Sequence, residues 1–263
     1  MSKNLISIVM NCHNGGKYLK DSVASIINQD YINWELIFFD NYSSDNSIEI
    51  IKQFNDSRIK IFESQKKLTL YHARNEAVKC TDGSLISFLD TDDTWDKSFL
   101  KKLSENLIKK NCDLSYCNYY VIDELKGKKY LNEKKETLPS GQITQKLLSN
   151  YKIGVIAVLF KKELFDNNQF NDNYNIIGDF DFFIKSSLNY SFCAVQEPLA
   201  FYRVHKDSLS YKKLELHVKE LKSWLKENES FFKKKYNLNS IEFYLKKLQI
   251  KVLVDKIKIF LDR

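Results

Sequence analysis

"SLISFLDTDD", residues Ser84 to Asp93, sets an apolar run directly against a crowd of acid. Leu85, Ile86, Phe88 and Leu89 suit a buried strand, and Asp90, Asp92 and Asp93 fall within the next four positions. Like charges that close repel, so either water at a turn or a cation has to offset them. Read locally, the acids start a helix, with Asp92, Asp93 or Thr94 capping a segment that begins near Trp95. Read chemically, they suit a hard divalent ion, which takes carboxylate oxygens and leaves positions open for phosphate and water. Asp90 and Asp92 can aim at one point if the backbone turns between them.

Strand and helix patterns alternate on either side of this stretch. "LISIVM" (5–10) is a short apolar run that ends at the turn signal "NCHNGG". Leu19, Val23, Ile26 and Ile27 have helical spacing, "WELIFF" (34–39) is the next strand, "SIEIIKQF" (47–54) is helical and "IKIFE" (59–63) is a strand. Residues 70–79 read as a helix, 84–89 as a strand and 96–110 as an amphipathic helix. Such alternation predicts an α/β fold with a mostly parallel sheet flanked by helices. Ligands on these sheets bind at the C-terminal strand ends, where Asn11 to Asn14, Asp40 and Asp90 to Asp93 all fall. A carboxylate at Asp40 could accept the imide N–H of uracil, and the His13 ring could stack on a base. Beyond residue 112, "LSYCNYYVI", "GVIAVLF" and "SFCAVQEPLAFYRVH" read as strands, with helices near 143–150 and 179–188.

The chain has 263 residues, with 43% hydrophobic and 14% aromatic content, 7 Gly and 2 Pro. That supports a sizeable core and argues against linkers and repeats. No apolar stretch is long enough to span a bilayer, and the N-terminus moves straight into a strand pattern without a signal peptide's apolar segment. The five cysteines at 12, 80, 112, 117 and 193 show no metal-ligand spacing, so reduced thiols in a cytoplasmic protein are expected. From Lys206 to Arg263 there are 15 Lys/Arg against 8 Asp/Glu, which accounts for the whole net charge of +7. No aromatic-basic motif accompanies that excess, so no nucleic-acid partner is expected, and an anionic membrane surface suits it better. The tail from 211 onward is helical in pattern, with Lys247, Lys251, Asp255, Lys258 and Asp262 on a polar stripe and Leu248, Val252 and Ile259 among the apolar remainder.

Taken in order, "SIVMNCHNGGKYLKDSVASIINQ", "WELIFFDNYSSDNS", "ARNEAV", "GSLISFLDTDD", "GDFDFFIKSSL" and "QEPLAFYRVHKDSLS" resemble a family 2 inverting glycosyltransferase of the bacterial surface-polysaccharide type. The resemblance implies the Rossmann-like glycosyltransferase-A fold, a nucleotide-sugar donor such as a UDP-sugar, a saccharide or lipid-linked acceptor, and Mn2+ or Mg2+. It implies a metal on Asp90, Asp92 and His205. It also implies donor binding by the first-strand turn Asn11, Cys12, His13 and Asn14, by Asp40, Asp90 and Arg74, and by Arg203 of "YRVH". Where the family usually has Pro-Thr-Tyr-Asn, this chain has Asn-Cys-His-Asn. The family's catalytic base follows a glutamate; here the pair is Gly178-Asp179, so Asp179 is the base candidate, the glutamate is missing, and Asp181 is the fallback. A helix start would account for both acids equally simply.

These readings divide the chain into a catalytic domain over 1–210, with a nucleotide-binding half (1–110) and an acceptor half (111–210), and a basic helical extension over 211–263. The expected location is the cytoplasm, with the tail able to rest on the inner face of the membrane, to pair in a homodimer or to cover the main domain. Two alternatives stand beside a transferase. Gly15, Gly16 and Lys17 invite comparison with a nucleotidyltransferase, although their spacing fits no phosphate loop. The missing glutamate leaves open a binding-only protein of the same fold.

Overall fold

The computed structural model describes residues 4–134, 137–208 and 213–261. Among the described residues nine strands form one mixed sheet with helices on both faces, as expected. In chain order they are β1 (Ile6–Cys12), β2 (Trp34–Asp40), β3 (Ile59–Glu63), β4 (Leu85–Phe88), β5 (Thr94–Trp95), β6 (Leu114–Asp123), β7 (Lys128–Leu131), β8 (Val158–Lys161) and β9 (Phe192–Val204). The helices are α1 (Gly16–Ile27), α2 (Ser47–Lys52), α3 (Leu70–Lys79), α4 (Phe99–Lys110), α5 (Thr144–Ser149), α6 (Lys162–Asp166), α7 (Gly178–Ser186), α8 (Leu214–Phe232) and α9 (Asn239–Leu261).

The sheet runs β3-β2-β1-β4-β8-β6-β9-β5, with β7 paired to β6. The pairs β1–β2, β2–β3 and β1–β4 are parallel. Strands β1, β2 and β4 are buried on both faces, which is why they read as apolar runs, whereas β3 at the sheet edge is only partly buried. From β1 the chain moves outward to β2 and β3, then returns to place β4 on the other side of β1. That reversal opens a crevice at the C-terminal ends of β1 and β4, where the turn at 11–14 and the acids at 90–93 sit. At the opposite edge the buried Glu35 accepts hydrogen bonds from the Asp82 and Gly83 amides and pairs with Lys60 at 2.7 Å. Gly83 is required there, since a Cβ would lie 2.6 Å from the Leu5 carbonyl oxygen.

Four local readings change. The segment "GVIAVLF" is a strand only from Val158; Val155–Ala157 forms a 3-10 turn first. Helix α4 starts at Phe99, and Trp95 lies in the two-residue strand β5 against Ala200, so none of Asp92, Asp93 and Thr94 caps a helix. Asp96 is the acid that binds the Ser98 amide and hydroxyl just ahead of α4. The expectation of five thiols is corrected as well: Cys112 and Cys193 are joined in a disulfide, and Cys12, Cys80 and Cys117 are free. Eighty-one residues separate that pair, and the parallel register of β6 with β9 brings them together, which spacing along the chain could not reveal.

The tail packs into the same apolar core as the sheet. Trp224, Phe232, Leu238, Ile241 and Leu248 belong to that core. Glu220 of α8 accepts the backbone N–H groups of Asn175, Ile176 and Ile177, and the Trp224 indole donates to Asp181 at 2.8 Å. Helix α8 therefore fixes the start of α7. The expected boundary at 210/211, Asp262 and the side chains of Lys258 and Ile259 lie outside the described residues.

Candidate active site

The C-terminal end of β1 delivers Asn11 and Cys12 and then turns through His13 and Asn14. Asn14 adopts a left-handed conformation (φ 56°), which asparagine tolerates well. Its side chain accepts from the Ser44 amide, and its own amide donates to Ser43. His13 is exposed and held at both ring nitrogens, with Nδ1 at 3.0 Å from the Asn41 carbonyl and Nε2 at 2.7 Å from Lys67. The Asn41 carbonyl can only accept, so Nδ1 carries the hydrogen and Nε2 takes one from the lysine. The Cys12 side chain is buried. Gly15 packs so closely on Thr91 that a Cβ would meet its Oγ1 at 2.6 Å, which locks this turn onto the acid segment.

Asp40, at the end of β2, is 3% exposed, and its Oδ2 accepts from the Ser43 amide. Its Oδ1 is buried with no hydrogen-bond partner among the described residues, as are the amide nitrogen and oxygen of Asn11. Buried polar atoms are normally paired. These orphans lie on two adjacent strand ends, at the crevice.

The three aspartates behind β4 are each treated differently, and this resolves their crowding. Asp90 pairs with Arg74 at 2.6 Å. Arg74 is buried beneath the rings of Tyr71, Phe88 and Phe170, so it is not a surface helix residue. Asp92 meets His205 Nε2 at 2.9 Å. The Asp207 amide donates to His205 Nδ1, so Nε2 carries the hydrogen that points to Asp92. Asp93 is fully buried and accepts the Arg203 amide. Burial, then the charges of Asp92 and Asp90, hold Asp93 well above the usual carboxylate range, so the cluster need not carry three negative charges. Burial, followed by the charge of Asp90, also raises Asp92, against the pull of His205. The Arg203 guanidinium has protein partners: it donates to the Asp92 carbonyl and to Glu124, and it lies over the Tyr18 ring.

Asp179 lies in the first turn of α7. The Tyr71 hydroxyl donates to its Oδ1 at 3.1 Å. Burial raises its carboxyl above the ordinary range, while the nearby Arg74 charge opposes that. The fallback Asp181 is buried and engaged by Trp224 and Lys185. Trp95 is core, stacked on Phe99 with its indole donating to the Ile156 carbonyl. Phe182 and Phe183 are also core, while Phe180 packs on Trp224 and Tyr151.

A single run of contacts thus joins Asp179, Tyr71, Arg74 and Asp90, with Asp92 and His205 immediately beyond. Three of its members could hold a metal: Asp92 and Asp90 supply carboxylates, and His205 supplies Nε2 once its hydrogen moves to Nδ1, which releases the Asp207 amide. The two carboxylates fit Mn2+ or Mg2+, and the imidazole favours Mn2+ as the softer of the two. Among the described residues no group of three such side chains is already gathered, because Asp90 is drawn to Arg74. In the glycine turn, the Gly16 amide is taken by Asp45 and Lys17 by Tyr18. Tyr71, Tyr18 and Glu124 escaped the sequence reading. Only Tyr71 left a signal, three residues before Arg74 and so on the same helix face.

The model of Glycosyl transferase family 2 matches residues 7–187. The chain is 34% identical over 166 residues to the UDP-Glc:alpha-D-GlcNAc-diphosphoundecaprenol beta-1,3-glucosyltransferase WfgD of Escherichia coli, a match covering 62% of this chain and 63% of that relative. In structure it is similar to Staphylococcus aureus TarS 1–349 in complex with UDP-GlcNAc (TM-score 0.69, 15% identity, 84% of this chain and 66% of that one). It is also similar to the mannosyltransferase PcManGT of Pyrobaculum calidifontis in complex with GDP-Man and Mn2+ (TM-score 0.62, 15% identity, 84% and 64%). At those identities the two structures speak for the fold, which is the glycosyltransferase-A fold. The chain belongs to Glycosyl transferase family 2.

Proposed function

We propose that the protein transfers a sugar from a UDP-sugar to a hydroxyl of a lipid-linked saccharide, inverting the anomeric carbon, with Mn2+ or Mg2+ held by Asp90, Asp92 and His205. The observation that carries this reading is the run of contacts from Asp179 through Tyr71 and Arg74 to Asp90, beside the Asp92–His205 pair. It supports the reading because a buried carboxylate then lies beside the acids that would hold the cation, at the C-terminal strand ends where ligands of such sheets bind. The unpartnered Asp40 Oδ1 supports uracil as the base, because its N3–H is the donor such an oxygen lacks. The E. coli relative's donor, UDP-Glc, and its lipid diphosphate acceptor are of the classes proposed.

In this reading Asn11 to Asn14 and Asp40 hold the nucleoside. Arg74 holds Asp90 in place. Arg203, clamped by Glu124 and the Asp92 carbonyl, braces the acid loop and adds positive charge near the diphosphate. Asp179 takes the proton of the acceptor hydroxyl as that oxygen bonds to the anomeric carbon. The bond from that carbon to the diphosphate breaks, and the electron pair leaves with the nucleoside diphosphate. The divalent ion, when bound, supplies neutralisation of the charge developing on that leaving group. A single displacement turns an α-linked donor into a β-linked product.

The acceptor class suggests why α9 is built as it is. Phe243, Ile250, Leu253, Val254 and Ile257 are exposed and follow a seven-residue repeat along one face, opposite the face that buries Ile241 and Leu248. Lys246, Lys247 and Lys251 flank them. A second copy docked there would set lysine against lysine, whereas an anionic bilayer satisfies both features. No described helix is long and apolar enough to cross a membrane, so the contact would be peripheral. We expect co-sedimentation with anionic but not neutral vesicles, lost in Ile250→Ser/Leu253→Ser. Unchanged vesicle binding by the variant, or a dimer that the substitutions dissolve, would refute the bilayer assignment.

The function itself is tested by incubating the protein with Mn2+, a panel of UDP-sugars and lipid-diphosphate saccharides. UDP should be released only when a matching acceptor is present, and proton coupling constants should show a β-linkage. Pyrophosphate release would instead indicate nucleotidyl transfer, and donor binding without release a binding-only protein.

A further inference from the structure

Gly178 stands where the resemblance calls for glutamate, and the structure shows what occupies that space. A Cβ on Gly178 would lie 2.5 Å from both Cδ2 and Cε2 of the Tyr71 ring. The bare backbone of the first turn of α7 is therefore the floor on which this ring lies. Tyr71 is 2% exposed, its ring centroid 5.1 Å from that of Phe170. Its hydroxyl is shared between the Ile176 carbonyl at 3.2 Å and Asp179 Oδ1 at 3.1 Å. Carbonyl and carboxylate can only accept, so the phenol is the donor to both.

We propose that Tyr71 is the positioning residue for Asp179, and that glycine at 178 exists to admit its ring. The idea rests on Asp179 being the base. The Asp179 carboxylate also draws on the amides of its own first turn, at Phe180 and at its own position, and without a partner across the cleft it would settle on them alone. The phenol ties one oxygen to the wall formed by α3 and leaves the other for the acceptor. Because Arg74 is on the same helix, three residues on, α3 sets both the Asp90 and the Asp179 carboxylates, and so the distance between leaving group and base. A side chain at 178 would push the ring off its floor and break this coupling. The charged and titratable groups facing Asp179 are Tyr71 and Arg74 from α3, Tyr119 from β6, and Tyr151 from the segment after α5. The hydrogen bond from Tyr71 favours the ionised carboxylate.

The test compares Tyr71→Phe, Gly178→Ala and the double variant through the pH dependence of kcat. Tyr71→Phe keeps the ring and its packing and removes only the donor. We expect kcat about tenfold lower with the donor KM unchanged, since a hydrogen bond to a charged group has been lost. We also expect the acidic limb to move to higher pH, because the carboxylate has lost a stabilising donor. Gly178→Ala should give the same displacement, and the double variant should be no worse than the poorer single one, because both remove one interaction. A Tyr71→Phe enzyme with wild-type kcat and an unmoved acidic limb would overturn the proposal, even if Gly178→Ala failed to fold. Asp179→Asn, assayed alongside, separates the two levels. Full activity there removes the base and Tyr71's role with it, whereas an inactive Asp179→Asn beside an unaltered Tyr71→Phe removes Tyr71 alone.

Discussion

Asp179→Asn lowers sugar transfer by about 10³-fold while leaving UDP affinity within a factor of about two, since general-base catalysis contributes on the order of 10²–10⁴-fold. Asparagine matches aspartate in shape, and its amide oxygen can still accept from the Tyr71 hydroxyl, so the buried contact at 3.1 Å survives. What disappears is the capacity to take a proton. The substitution also removes a carboxylate that burial holds above the ordinary range. In the wild type only the ionised form works, so activity should rise with pH through that raised value, and the residual activity of the variant should lose this limb. Asp181→Asn is the internal control. Asp181 is held by Trp224 and Lys185, so its loss should lower the unfolding temperature and leave kcat of the folded enzyme within a few-fold. If Asp181→Asn abolished turnover and Asp179→Asn did not, the two assignments would have to be exchanged.

Asp92→Ala is expected to lower kcat/KM by 10²-fold or more, and added Mn2+ should not restore it. The magnitude follows from the several kcal/mol a divalent ion supplies to a departing diphosphate. The same change should cost little stability. Asp92 sits among Asp90 and Asp93, and its carboxyl is raised chiefly by burial and then by the Asp90 charge. Its presence is therefore a strain on the ion-free fold, offset by His205 at 2.9 Å and by a backbone amide. Function and stability should move apart here, as they do where a site keeps like charges together for a ligand. A variant that unfolds several degrees early and retains its Mn2+ response would show that Asp92 holds the loop and not the ion.

The parallel half of the sheet was legible because each strand is a short apolar run closed by polar residues, and each helix buries a stripe such as Leu19, Val23 and Ile26. The position of the candidate residues at strand ends was legible for the same reason: the apolar runs of β1, β2 and β4 stop at Asn11, Asp40 and Asp90. What escaped depends on contacts between distant segments. Trp95 follows the acids and looks available to a sugar, yet pairing with Ala200 carries it into the core. Arg203 appears free for a phosphate until Glu124, 79 residues earlier, is seen beside it. Gly178 reads as a lost glutamate and is instead the seat of a ring 107 positions earlier in the chain, Tyr71. The bond between Cys112 and Cys193 is likewise a consequence of strand register.

Calorimetric titration of UDP into the wild-type protein and into Asp92→Ala, each with Mn2+ and with a chelator, bears directly on the ion at the sheet edge. Wild-type protein should bind UDP at least tenfold more tightly with Mn2+ than with chelator, and Asp92→Ala should bind it weakly and equally in both. Identical Mn2+-dependent affinities in the two proteins would contradict a cation bridging these aspartates to the nucleotide.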